Sequence, residues 1–388
     1  MVLDPFCGTG TTLVECKKHG IKNIGVEAHP LAHFVSSVKA DWSVNPKLLQ
    51  RHARRVGLNT IEELNGTGVA ENVITQDADL LSQLNGNLRS LPPESAELLL
   101  EDSISPLPLH KVLTLLDQIS VVEDLRIQSH ERLAIAKATV FDISNLHFGP
   151  EVGVSRQKKV DVDVVGLWMQ VIGEMVHDLE MYASLAGIKT DVHCYDSRRP
   201  LHFLKPKSID AVITSPPYPN EKDYTRTTRL ESVLLGFIRN RHDLRKMKEH
   251  LLRSNTRNVF KLDDDDKAVT EYKEIQRIAR EIEARRIEMG KTSGFERLYG
   301  RVTKLYFGGM YRHFAELRPF LKPGAKLAYV VGDQASYLRI MIRTGQLLAE
   351  IAESLGYKVL DIELYRTRLA TATKEQLREE VIMLEWEG

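Results

Sequence analysis

Cysteine is scarce in the 388 residues: Cys7, Cys16 and Cys194 are too few and too scattered for a disulfide framework or a cysteine-based zinc site. That scarcity suits a reducing, cytoplasmic setting. Net charge is missing too, because 53 Lys and Arg offset 53 Asp and Glu. No global basic field exists, and any nucleic-acid surface must be a local patch. No run approaches the roughly 18 apolar residues that a membrane helix needs, and no signal peptide leads the chain; both argue against a membrane or secreted protein. The 13 histidines show no HExxH or paired spacing, so no metal site is expected. The phosphate-loop patterns GxxxxGK[ST] and GxGxxG are absent as well. What remains is a composition of 43% hydrophobic and 27% charged residues, ordinary for a globular protein of more than one module.

The order of elements is more telling. Met1 to Asp4 reads as a strand, Phe6 to Thr11 as a Gly/Thr turn, and Thr12 to His19 as a helix ended by Gly20. Asn23 to Glu27 is a second strand, and Pro30 opens a second helix. This is the opening unit of a doubly wound α/β sheet. From Trp42 to about Ile188 helical patterns take over, with a stripe at Trp168, Val171, Ile172, Met175, Leu179 and Tyr182, and with turns at Asn85-Gly86 and Pro92-Pro93. Strands return at Asp191–Asp196 and Ile209–Thr214. A charged interruption follows, with seven Lys and Arg between Arg239 and Arg257, an acidic run Asp263 to Asp266, and a helix Tyr272 to Met289 carrying an apolar seam at Ile275, Ile278, Ala279 and Ile282. The last segment predicts a helix Leu305–Leu317, a turn at Lys322-Pro323-Gly324, a strand Lys326–Val331, a helix Thr344–Leu355 and two final strands near Val359–Tyr365 and Val381–Glu387. The expected organisation is therefore a core of 1–42, 189–238 and 301–388, a mainly helical insertion at 43–188 for target recognition, and a charged helical insertion at 239–300.

Two motifs carry chemistry. Asp4-Pro5-Phe6-Cys7-Gly8-Thr9-Gly10-Thr11 joins a strand to a helix. Its glycines permit positive φ and close approach of a ligand, and the helix start offers unpaired N–H groups. Glu27 closes the next strand, where a carboxylate accepts both hydroxyls of a ribose. Together these indicate a nucleoside cofactor without a long phosphate tail. The second motif, Thr214-Ser215-Pro216-Pro217-Tyr218, stands at a strand end. Two prolines hold the backbone extended, which aims carbonyls in fixed directions and ends on an aromatic ring. That arrangement suits a flat substrate with an exocyclic amine.

These residues resemble the S-adenosylmethionine-dependent amino-methyltransferases that modify exocyclic nitrogens of DNA bases. The resemblance covers about 180 residues and none of the insertions. It implies a Rossmann-like class I methyltransferase fold, α/β with a seven-stranded, mostly parallel sheet plus helical insertions. It further implies that Asp4, Phe6, Gly8, Gly10, Thr11, Glu27, Asp196 and Thr214 serve S-adenosylmethionine, and that Ser215, Pro216, Pro217 and Tyr218 receive a flipped base. Leu321-Lys322-Pro323-Gly324 and Val331-Gly332-Asp333 look like the family's fifth strand and the turn before it. Ser at the first position of the second motif goes more often with cytosine N4 than with adenine N6. The family carries a helix-containing segment before its first strand. With the strand beginning at Met1, the expectation is a fragment, a more open pocket, or a second subunit, in a homodimer or a complementing chain, that completes the site.

DNA is the expected partner, with phosphate contacts at Arg226, Arg229, Arg245, Lys246 and Arg253, and with the loop of Arg156, Lys158 and Lys159 as a further candidate. No cysteine follows a proline, so the Pro-Cys nucleophile of cytosine ring-carbon methyltransferases is absent and Cys7 reads as packing. An adenine-N6 enzyme, an RNA amino-methyltransferase and a non-catalytic nucleic-acid-binding module are the alternatives; intact loop glycines and Tyr218 favour an enzyme over the last.

Overall fold

Short apolar runs bounded by turns become the strands of one seven-stranded sheet: β1 (Val2–Asp4), β2 (Asn23–Glu27), β3 (Thr190–Cys194), β4 (Ile209–Thr214), β5 (Leu321–Gly332), β6 (Tyr357–Leu369) and β7 (Gln376–Trp386). Their order is β3-β2-β1-β4-β5-β7-β6, and only β7 runs antiparallel to its neighbours. The computed structural model describes residues 1–69, 88–149, 151–220, 223–369 and 376–388. The turn expected at Asn85-Gly86 lies outside these residues. No helix among the described residues is long and apolar enough to cross a membrane.

The chain divides into two units. One holds the sheet and comprises Met1–Ala40, Ile188–Asp223 and Lys246–Gly388. Its core gathers Leu3, Val26, Val212, Leu327, Tyr329 and Val331 from the strands with Phe307, Met310, Phe314, Leu348 and Ile351 from the helices Tyr299–Leu317 and Thr344–Ser354. The order of strands reverses between β1 and β4, and the crevice at the carboxyl ends of such a pair is where open α/β sheets bind ligands.

The sequence reading set 239–300 apart from the core, whereas residues from Lys246 onward fold with the sheet. The reason lies in the acidic run. Asp263 pairs with Arg253 at 2.8 Å, Asp264 with Arg312 at 2.9 Å, and Asp265 with both Arg198 (2.6 Å) and Arg312 (2.9 Å). Asp264 and Asp265 thus fasten the segment to Arg312 and Arg198 outside it, while the Asp263 pair closes the segment on itself. Gly308 makes room for it: a Cβ there would lie 1.9 Å from the Asp265 carbonyl oxygen. The apolar seam Ile275, Ile278, Ala279 and Ile282 is buried in the same unit. The strand expected at Lys326–Val331 starts earlier, at Leu321, and the final two strands are longer than the pattern indicated.

The second unit is Asp41–Gly187 with Tyr224–Arg245. It is mainly helical, and it also contains a two-stranded hairpin, Leu146–Phe148 with Val152–Val154, that the helical patterning hid. Trp168 is fully buried and donates its indole N–H to the Glu131 carbonyl at 3.0 Å. Val171, Ile172 and Leu179 of the stripe are buried, while Met175 and Tyr182 are half-buried. Lys111 and Asp161 form a buried ion pair at 2.7 Å.

Gly308→Ala should therefore destabilise the protein by about 1–3 kcal/mol or more, since the Asp265 turn must move to admit a methyl group. Gly173→Ala, on a helix with open space around the added carbon, should be neutral or stabilising by roughly 0.5–1 kcal/mol. Urea unfolding of the two variants beside the parent checks the contrast.

Candidate active site

The two motifs meet at the reversal point through one buried carboxylate. Asp4, at the end of β1, is 3% exposed and accepts hydrogen bonds from the Thr214 hydroxyl at 2.6 Å and the Phe6 backbone N–H at 3.2 Å. Burial raises its pKa, against the lowering effect of those bonds. Beyond Asp4 the chain turns through Gly8 (φ 52°) and Gly10 (φ 85°), a left-handed geometry that glycine adopts without strain. A Cβ at Gly8 would meet nothing within 4 Å, so open space lies over the loop, whereas one at Gly10 would crowd Ser36 at 3.0 Å. Thr11 is exposed and begins the helix Thr11–Lys18. Cys7 is buried, with its thiol pKa pushed up by burial and by nearby Glu27 and Asp4. A thiol so placed serves packing.

Glu27 closes the cradle from β2. Its carboxylate accepts the Gly8 N–H at 2.9 Å and the His29 N–H at 2.7 Å. Removal from water outweighs these bonds and pushes its pKa up to about 7. Phe6 lies edge-on to His313, with ring centroids 4.8 Å apart. His313 is buried, and burial pushes its pKa down to about 4. Its Nδ1 lies 3.1 Å from the Ser197 carbonyl, which only accepts, so Nδ1 carries the proton and Nε2 accepts from the Tyr329 hydroxyl at 2.7 Å. Ser197 also donates to the Pro5 carbonyl, which ties the loop after β3 to the loop after β1.

Asp196 is 5% exposed and committed to protein partners: Oδ1 accepts from Arg198 N (3.0 Å) and Nε (2.9 Å), and Oδ2 from Arg198 Nη2 (2.7 Å). Arg198 also reaches Asp265. Neither Arg198 nor Asp265 is singled out by the sequence motifs; the only signal was the unexplained acidic run.

In the second motif, Ser215 is exposed and donates to the Val330 carbonyl at 3.3 Å, while Pro216 is buried and Pro217 and Tyr218 half-buried. The Tyr218 ring lies against Gly332 at the end of β5, where a Cβ would stand 2.9 Å from two ring carbons. Asn220 then anchors the turn, donating its side-chain amide to Ser336 Oγ and its backbone N–H to the Ser254 carbonyl, both at 2.6 Å.

The basic candidates divide. Lys246 is exposed in the sheet unit, and Arg245 is exposed in the helical unit, where Arg226 pairs with Glu151 at 3.3 Å. Arg229 instead spends Nε on the Thr225 carbonyl (2.7 Å) and Nη1 on the Leu98 carbonyl (3.3 Å). Arg253 departs furthest from the expected phosphate contact. It is 4% exposed, forked onto Asp263 and bonded to the carbonyls of Lys248, Glu249 and Leu251, so it staples its own loop.

The raised Glu27 pKa has a stability consequence. The folded protein keeps this proton to higher pH than the unfolded chain, so the associated stability is fully present below the ordinary value of 4.5 and is lost as the pH rises to about 7. Glu27→Gln should flatten the fall in unfolding free energy across that window, as followed by chemical denaturation from pH 4.5 to 8.

Comparison with known proteins bears on the first motif and on the chain as a whole. Residues 1–35, which contain the glycine loop and Glu27, match the model of a family described as DNA methylase. The chain is 25% identical to the type II methyltransferase M.BsoBI of Geobacillus stearothermophilus over 96% of its own length and 76% of the relative's. It is 26% identical to the type II methyltransferase M.AvaI of Nostoc sp. over 92% and 73%. A short stretch of 39 residues is 44% identical to the type II methyltransferase M.MjaII of Methanocaldococcus jannaschii. The relatedness spans most of the chain and so both units, and what the chain resembles is a set of type II methyltransferases and, over residues 1–35, a DNA methylase family.

Proposed function

We propose that this chain is a site-specific DNA methyltransferase of Rossmann-like class I fold that uses S-adenosylmethionine and methylates the N4 amine of cytosine. The observation that carries the reading is the Asp4–Thr214 hydrogen bond, which holds a glycine-loop cradle and a Ser-Pro-Pro-Tyr turn on adjacent strand ends. The residues present suit the cofactor: the space over Gly8 is open, and Glu27 offers a carboxylate for ribose hydroxyls once it lets go of the Gly8 and His29 N–H groups. Phe6, Gly10, Thr11 and Asp196 complete the set proposed to surround it. S-adenosylmethionine supplies a methyl group activated on a sulfonium.

The chain's own residues do the rest. An aromatic amine is a poor nucleophile because its lone pair is delocalised into the ring. Acceptance of its two hydrogens by Ser215 Oγ and the Pro216 carbonyl favours the pyramidal nitrogen of the transition state. Ser215 suits this role because it is exposed and its hydroxyl can turn from the Val330 carbonyl to another partner. Tyr218, braced against Gly332, replaces stacking that a base loses on leaving the duplex, about 1–3 kcal/mol. Cytosine N4 is favoured because a serine hydroxyl accepts an amine hydrogen and can turn its own hydrogen to the ring nitrogen, whereas an ionised carboxylate only accepts. The helical unit, which the cofactor and base motifs leave unused, is proposed to choose the target sequence, as a modification enzyme of a restriction system requires.

DNA from cells expressing the protein should contain N4-methylcytosine, and Ser215→Ala or Tyr218→Ala should lower it by at least tenfold. Gly8→Val should abolish binding of S-adenosylhomocysteine while the fold survives. Mass spectrometry of digested nucleosides and calorimetry read these outcomes. N6-methyladenine alone would move the assignment to the other amine, and no methylated base at all would overturn DNA as the substrate.

A further inference from the structure

The sheet's carboxyl edge carries a feature that the two motifs leave unexplained. β5 ends at Gly332, opposite Glu379 of β7, and Glu379 in turn stands opposite Arg366 of β6. Past this row β6 and β7 continue alone through the pairs Thr367 with Arg378, Arg368 with Leu377, and Leu369 with Gln376. Three further rows at a strand rise of about 3.3 Å carry the ribbon roughly 10 Å beyond the sheet. Its base is secured by Leu377, buried against Ala335 and Met341, and by the hydrogen bond from Asp333 N–H to the Arg378 carbonyl.

Side-chain directions put one cluster beside the base-receiving turn. A Cβ on Gly332 would meet the Tyr218 ring at 2.9 Å and Glu379 Cγ at 3.5 Å, so Tyr218 and Glu379 occupy the same face of the sheet. Glu379 is buried and accepts from Arg366 Nε at 2.5 Å, with Arg368 Nε at 3.7 Å from its other oxygen. The two arginines share this face, with side chains 65% and 41% exposed. Residues 366–369 and 376–380 hold three arginines and two glutamates, with Arg378 paired to Glu380 at 2.8 Å, which leaves a small local positive charge on a chain of zero net charge. Each guanidinium meets the carboxylate at Nε, and its geometry offers further N–H donors to a second anion. The Glu379 hydrogen bond fixes the Arg366 fork in advance and the longer ion pair draws Arg368 toward the same point, which lowers the entropic cost of binding.

We propose that Arg366 and Arg368, braced on Glu379 beside Tyr218, grip the DNA phosphate backbone at the nucleotide whose base enters the pocket. The inference rests on the DNA-methyltransferase reading and adds a contact surface to it. A base leaves the duplex by rotation about its backbone, so a fixed phosphate next to the receiving ring holds the strand in register. A two-stranded ribbon is also narrow enough to lie along a groove of the duplex.

The full chain with Arg366→Ala and Arg368→Ala together tests this against the parent, using duplex DNA titrated across a salt series, DNA methylation kinetics and binding of S-adenosylhomocysteine. The expected result is a slope of log affinity against log salt shallower by about 2, a KM for DNA raised about tenfold or more, and unchanged affinity for S-adenosylhomocysteine. If the double variant unfolds, Arg366→Gln alone should give a slope shallower by about 1. Parent-like slope and KM overturn the proposal while leaving the enzyme reading intact. A parent-like slope with a shift from dimer to monomer in sedimentation assigns the ribbon to a second copy and overturns it too. A parent chain that binds the cofactor product and methylates no DNA removes both readings.

Discussion

The buried bond between Asp4 and Thr214 is the constraint on which the site depends. It joins residues 210 positions apart in sequence, at the two strands between which the sheet reverses its order. A buried carboxylate without partners is costly, and breaking one of its hydrogen bonds costs about 1–3 kcal/mol. Asp4 therefore demands Thr214, and in meeting that demand it fixes the distance between the glycine loop and the Ser-Pro-Pro-Tyr turn. Two motifs far apart in sequence are thereby held in register by one buried group. Ser197, donating to Pro5, and His313, bridging Ser197 and Tyr329, extend the same logic to the loop after β3.

A second brace works on charge. Asp196 and Arg198 form a bidentate pair, and Asp265 holds the arginine from the far side. The pair is nearly dry, with side chains 9% and 6% exposed. Removal of one partner would strand a buried charge, which is strongly destabilising. The inserted segment that carries Asp265 is thus structurally inseparable from the loop after β3, although nothing in its own composition marks it as part of the sheet unit.

What the sequence disclosed followed physical rules of short range. Gly8 and Gly10 between a strand and a helix, Glu27 one strand later, and Pro216-Pro217 at a strand end are local patterns, and the structure places them as a reader of the chain would expect. Long-range pairing was illegible. An acidic run reads as a solvated stretch until Arg253, Arg312 and Arg198 are brought against it from 10 to 67 residues away. The same blindness made Arg253 look like a phosphate contact, because a buried and an exposed arginine look alike in sequence. The hairpin at Leu146–Val154 was missed for another reason: three-residue strands are too short to show an alternating pattern amid helices.

The insertion of β7 between β5 and β6 has a consequence for how the sheet is completed. β6 precedes β7 in the chain, yet it cannot join the sheet until β7 lies between them. Until then β5 is an edge, and its run Leu327, Tyr329 and Val331, all buried in the finished protein, stands open with unpaired backbone groups. Such an edge is a template for pairing with other chains. The last of the seven strands in chain order is thus the one that closes the core, which makes assembly cooperative and dependent on that strand arriving before another molecule's edge does.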